Sequence, residues 1–192
     1  MNILETKRLI LRTFEEQDLD VMAAIDQDPK VCAFLPGVAT RRTTHALIQR
    51  IIQHYQERGF SLYAVLLKGT MEMIGFLGLM TPSFEAYFTP AVEIGWRLSS
   101  KYWNHGYATE GAEAVLQYAF NTLNLPEVVS FTTINNLASR RVMEKIGLKH
   151  DPKDDFDHPK LEPSSPLKRH VLYRLCKRDY LADMESGCET SE

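Results

Sequence analysis

Residues 89–123 constrain the fold of this chain most, because the side-chain period changes once along them, and it changes at a glycine. In 89–99, TPAVEIGWRLS, Val92, Ile94, Trp96 and Leu98 alternate with Glu93, Gly95 and Arg97, the period of two that marks a strand. From Ala108 onward Ala112, Val115, Leu116, Ala119, Phe120 and Leu123 recur at helical spacing, with Glu110 and Glu113 placed to complement the dipole of the first turns. The join, KYWNHGY, has turn chemistry and ends its turn at Gly106. A strand that passes through a glycine turn into a helix leaves the helix's first N–H groups without partners and lets a ligand come close to the backbone. That suits an anion such as a pyrophosphate. An ordinary tight turn has the same sequence, so the junction alone does not decide between the two. Glu93 places a carboxylate in a strand predicted to be central.

The remaining elements surround this junction. Residues 7–14 read as a strand, and 15–28, EEQDLDVMAAIDQD, as a helix with Leu19, Met22, Ala23 and Ile25 on its apolar face, stopping near Pro29. A second helix is predicted over 44–58, with Gly59 ending it. Two strands follow over 61–67 and 73–80, joined by a hairpin turn at Lys68-Gly69-Thr70. A strand over 128–133 leads to a short helix over 136–146, closed by Gly147 at the position after its cap, and 151–166 is a polar loop. The last strand is predicted over 169–175, and the acidic residues 183–192 are expected to fray. Residues 1–182 form the folded domain in this reading, with 183–192 as its tail.

Composition excludes several classes of function. With 22 Lys and Arg against 25 Asp and Glu, there is no excess of bases to hold nucleic acid or an anionic membrane. The charge is uneven: 151–162 carry five acids and two bases, next to a basic last strand. No apolar run reaches membrane-spanning length, and MNILETKRLILR carries charges where a signal peptide is apolar, so a cytoplasmic protein is expected. Cys32, Cys176 and Cys188 are an odd number without paired spacing and are expected as reduced thiols. His158, between acids of the polar loop, lacks the spaced ligands of a zinc centre, so no metal is expected. Neither G-x-x-x-x-G-K-[ST] nor G-x-G-x-x-G follows any strand, which argues against a nucleotide-binding protein.

Three features stand at one characteristic spacing: the strand ending W-R-L, the loop Trp103-x-x-Gly106-x-Ala108, and the helix start N-x-x-S-x-x-V-x-E-K-x-G from Asn136. In these the chain resembles the GNAT superfamily of acyl-CoA-dependent N-acetyltransferases, and within it the branch that acetylates the N-termini of ribosomal proteins. The resemblance covers roughly residues 5–150. It implies an α/β (α+β) domain: a mixed, mostly antiparallel sheet of about seven strands, splayed at its centre, with helices on both faces. It also implies acetyl-CoA as co-substrate. Asn104, His105, Gly106, Tyr107, Ala108 and Thr109 would hold the CoA pyrophosphate, and the backbone of Arg97, Leu98 and Ser99 would pair with the pantetheine arm. Asn136 and Ser139 match the second CoA contact, near the thiol end. Trp103 departs from the broad superfamily's Gln or Arg but is usual in this branch.

Attack by an amine requires its neutral form, so a base is expected, and Glu93 stands where several relatives carry a catalytic glutamate. A structural carboxylate paired with Arg97 is the alternative. Many relatives place a tyrosine seven residues after the asparagine; here that residue is Met143, so a tyrosine acid is excluded there, and either Ser139 protonates or hydrogen-bonds the departing thiolate or the thiolate leaves unaided. The expected reaction is direct transfer of acetyl to a primary amine, either a protein N-terminus or a small molecule, by a monomer or homodimer. A non-catalytic CoA-binding or interaction module that kept the fold is the competing reading. Phe34, Pro36 and Phe84, aromatic or proline residues in loops, mark where an acceptor channel is expected.

Overall fold

The computed structural model describes residues 1–35, 37 and 39–188. Two compact units are distinguished, 1–80 with 94–115 and 81–93 with 116–188. The architecture is α/β with a mixed, mostly antiparallel sheet, the class expected from the sequence.

In the first unit, β1 (Asn2–Glu5), β2 (Leu9–Arg12), β3 (Leu62–Leu67) and β4 (Met73–Met80) are antiparallel neighbours in that order, with β5 (Glu93–Leu98) next to β4. Strand β1 was not anticipated; its four residues show no period, and its register with β2 shifts between Asn2 and Leu4. Strand β5 lies close against β4. A Cβ built on Gly75, whose φ is +143°, would run into the carbonyl oxygen of Arg97, so only glycine allows this approach.

The helices of this unit are α1 (Leu19–Asp26), α2 (Pro29–Cys32), α3 (Arg41–Arg58) and α4 (Tyr107–Gln117). Pro29 does not simply end a helix, as expected, but begins α2, because Asp28 caps it by accepting from the Lys30 N–H and proline needs no donor in a first turn. Helix α3 starts three residues before its predicted start because Thr40 and Thr43 bond each other's backbone N–H groups, and Gly59, at φ +77°, closes it. Ile48 and Ile51 of α3, with Met22 and Ile25 of α1, pack against Leu62, Ala64 and Phe76 of the sheet in one apolar core.

In the second unit, β6 (Glu127–Thr133) pairs antiparallel with β9 (Arg169–Cys176), which also carries β7 (Lys149–His150) and β8 (Phe156–Asp157). The last two lie in or beside the predicted polar loop and are too short to show a period. Glu93 pairs with Val129 in parallel, and this ladder has one register pair. Helices α5 (Leu137–Lys145) and α6 (Lys177–Cys188) complete the unit; α6 includes residues 183–188 of the segment expected to fray, and 189–192 lie outside the described residues. No helix among the described residues is long and apolar enough to cross a membrane.

Candidate functional site

The glycine turn before α4 is built as a ring of outward-tied carbonyls. Asn104 and Gly106 both take left-handed φ, +64° and +78°. The Trp103 carbonyl accepts from His105 Nδ1 at 2.7 Å, and the His105 carbonyl accepts from Arg8 Nη1 at 2.9 Å. The Gly106 carbonyl accepts the N–H of Glu110 at 3.0 Å, the first bond of the helix. The N–H groups ahead of that bond are the orphan donors of a helix start, with the positive end of the dipole behind them. A Cβ on Gly106 would meet only Arg8 Nη2, at 3.5 Å, so the space over the turn is open to a large anion. Asn104, His105 and Gly106 are exposed, and Tyr107, Ala108 and Thr109 begin the helix half-buried. This geometry suits a large anion.

Thr6 and Arg8, which carry no signal in the sequence, brace the turn through Glu110. Glu110 in the first turn of α4 accepts from Thr6 Oγ1 at 2.6 Å, from the Arg8 N–H at 2.8 Å and from Arg8 Nε at 2.5 Å. Burial alone would raise the Glu110 carboxyl, but the bonds from Thr6 and Arg8 together reverse this and hold it below the usual range. The Arg8 guanidinium lies 4.5 Å over the ring of Tyr107, which stacks in turn on His105. No local pattern reveals this, since Arg8 and Glu110 are 102 residues apart.

Of the three residues expected to face the pantetheine arm, Leu98 alone turns its backbone away from β4. The Ser99 N–H is bonded to Ile74 O at 2.8 Å, and the Arg97 carbonyl faces Gly75. Because backbone groups alternate sides along a strand, Leu98 points the other way. Its carbonyl also accepts from Trp103 Nε1 at 2.8 Å, which ties the strand end to the turn. The Arg97 side chain reaches back to α1. Its Nη1 donates to Asp26 at 2.7 Å and its guanidinium lies over Phe76, while Asp26, 2% exposed, also accepts from Thr44. Ser100 donates to Asp28, so two aspartates of the α1–α2 corner hold the end of β5.

In the second unit, Glu93 is half-buried at the start of β5, in register with Val129. Asn136 caps α5. Its Oδ1 accepts the Ser139 N–H at 3.2 Å and its Nδ2 donates to Thr132 at 3.0 Å, so both polar atoms of its side chain have protein partners. Ser139 is half-buried, and Met143 is buried in the unit's interior at 1% exposure.

Phe84 packs half-buried in an aromatic cluster with Phe88, Phe131, Phe156 and His158. Phe34 is half-buried in the first unit, and Pro36 lies outside the described residues. Three of the five acids of 151–162 are paired locally: Asp154 with Arg174, Asp155 with His150 and Asp157 with Arg169. Among the described residues no group of acids, histidines and cysteines is arranged to hold a metal ion. His54 is half-buried with Nδ1 at 2.8 Å from the Phe60 carbonyl.

Comparisons with known proteins agree with this geometry. The family model described as an acetyltransferase (GNAT) domain matches residues 8–149. A Bacillus subtilis protein named uncharacterized N-acetyltransferase YnaD is 32% identical over 150 residues, covering 77% of this chain and 83% of the relative. The crystal structure of a GNAT-family acetyltransferase from Bacillus anthracis superposes with a TM-score of 0.75 at 26% identity, covering 93% of this chain and 99% of that one. A ribosomal-protein-S5-alanine acetyltransferase from Vibrio fischeri, 15% identical with a TM-score of 0.72 over 92% and 97% of the two chains, shares the fold.

The two histidines of the aromatic cluster set a pH dependence of stability. Lys160 N–H donates to His158 Nδ1, and His170 Nδ1 donates to the Lys168 carbonyl. Burial first, then nearby His170, Lys160 and Lys168, push His158 down to about 4, and burial also lowers His170. The unfolded chain binds the proton near the ordinary value of about 6.5, so the folded state is favoured fully above that pH and loses this contribution as pH falls towards 4. Urea midpoints measured from pH 7 to pH 4 should fall, and His158→Phe should flatten part of that fall, whereas exposed His45→Phe should leave it unchanged.

Proposed function

The chain belongs to the GNAT acetyltransferase family, and from that premise we propose that it moves the acetyl group of acetyl-CoA directly to a primary amine, without an acetylated form of the protein. The turn at residues 103–109 carries the reading: two left-handed residues, three carbonyls tied away from the opening, and a helix N-terminus behind them. Acetyl-CoA, when bound, supplies the activated thioester and an anionic handle. The amides of Asn104, His105, Gly106, Tyr107, Ala108 and Thr109 hold that handle. Leu98 offers the pantetheine arm its backbone, and Arg97 and Ser99 fix Leu98 through their bonds to Asp26 and Ile74. Asn136 sets the first turn of α5, which carries Ser139, and the Ser139 hydroxyl protonates or hydrogen-bonds the leaving sulfur.

Glu93 takes a proton from the acceptor amine, directly or through water, so that the neutral nitrogen attacks. Direct transfer is supported by the absence of a cysteine from both motif regions: Cys32 bonds the Asp26 carbonyl in α2, and Cys176 ends β9. The acceptor is a protein N-terminus or a small-molecule amine.

Gly106→Trp should fill the space over the turn and abolish CoA binding in titration calorimetry, with the fold checked by circular dichroism; retained affinity would remove the loop from the site. Glu93→Gln should leave CoA affinity unchanged and lower turnover on an accepted amine by about a hundredfold near neutral pH. The amine is to be found by screening primary amines and N-terminal peptides with acetyl-CoA, and unaltered turnover in the variant would exclude Glu93 as base.

A further inference from the structure

We infer that Arg8 is a positioning residue for CoA, setting the direction of the peptide unit that presents the Gly106 amide to the pyrophosphate; the inference rests on the reading of residues 103–109 as the pyrophosphate loop. In a trans peptide the carbonyl of one residue and the N–H of the next point in opposite directions. Arg8 Nη1 holds the His105 carbonyl at 2.9 Å on its own side of the turn, which aims the Gly106 N–H to the other side. Gly106 is the residue most free to rotate here, since its φ of +78° is one of several that glycine tolerates. An external constraint on this peptide therefore has an effect that it would not have within the helix.

Arg8 is in turn held on three sides. Its Nε bonds Glu110 at 2.5 Å, its backbone N–H bonds the same carboxylate at 2.8 Å, and its guanidinium plane rests 4.5 Å over Tyr107. These contacts fix the fork so that Nη1 meets the carbonyl while Nη2 stands 3.5 Å from where a Gly106 Cβ would be. A lysine has one nitrogen and cannot bond Glu110 and the His105 carbonyl in this fork geometry. The arrangement does more than fasten β2 to α4, because an Arg8–Glu110 pair alone would do that without the bond to the loop carbonyl.

The test compares CoA with pantetheine, which carries the same thiol arm and no pyrophosphate. In titration calorimetry on the full chain, Arg8→Met should weaken CoA about tenfold or more, the equivalent of losing one charge-assisted bond, and leave pantetheine binding unchanged. Arg8→Lys, which keeps the charge, should also weaken CoA selectively, and it decides the matter if Arg8→Met does not fold. Unchanged CoA affinity in the folded variants, or equal weakening of CoA and pantetheine, would overturn the inference. Gly106→Trp separates the two levels: if that variant keeps its CoA affinity, the loop assignment itself has failed, whereas loss there with wild-type affinity in the Arg8 variants sinks only the role of Arg8.

Discussion

The first unit depends on the carboxylate of Glu110. Three donors converge on it from Thr6 and Arg8, and together they fasten the turn between β1 and β2 to the first turn of α4. Hydrogen bonds to a charged group contribute roughly 1.5–3 kcal/mol each, enough here to outweigh the cost of partly burying the carboxylate. The same negative charge sits within the first turn, where it complements the helix dipole. Through Arg8 the constraint extends to the His105 carbonyl, and through the His105 ring to Trp103. Trp103 in turn bonds Leu98, so the end of β5 and the glycine turn form one braced segment.

A second brace comes from the α1–α2 corner. Asp26 is almost fully buried, yet its charge is met by Arg97 and by the Thr44 hydroxyl, the condition under which a buried carboxylate is tolerated. Here the arginine of the W-R-L strand has a partner outside its own strand, so the Arg97 side chain helps to fix the end of β5. Asn136 behaves comparably at α5: residue types that the family resemblance associates with the cofactor act locally as caps and clamps, and the surfaces offered to a ligand are largely backbone amides.

The sequence made legible those features that repeat within a few residues. The switch from period two to helical spacing at Gly106 located the strand, turn and helix, and the spacing to Asn136 and Ser139 supplied the family. Elements shorter than a period, such as β1, β7 and β8, left no trace, and neither did α2, whose start at Pro29 depends on the Asp28 cap. The bracing contacts were invisible for a different reason: Arg8 with Glu110 and Arg97 with Asp26 join residues 102 and 71 positions apart, and one sequence carries no record of such pairing. The uneven charge of the C-terminal part has a local explanation as well, since Asp154 and Asp157 of the acidic loop pair with Arg174 and Arg169 of the basic strand.

The proposed binding of the CoA pyrophosphate by backbone amides at the start of α4 is open to measurement. Residue-resolved amide hydrogen exchange tests it most directly, measured on the protein alone, with CoA and with pantetheine. The amides of residues 104–109 should exchange more slowly with CoA than with pantetheine or with no ligand. Unchanged exchange at these amides under saturating CoA, with slowing elsewhere in the chain, would contradict it.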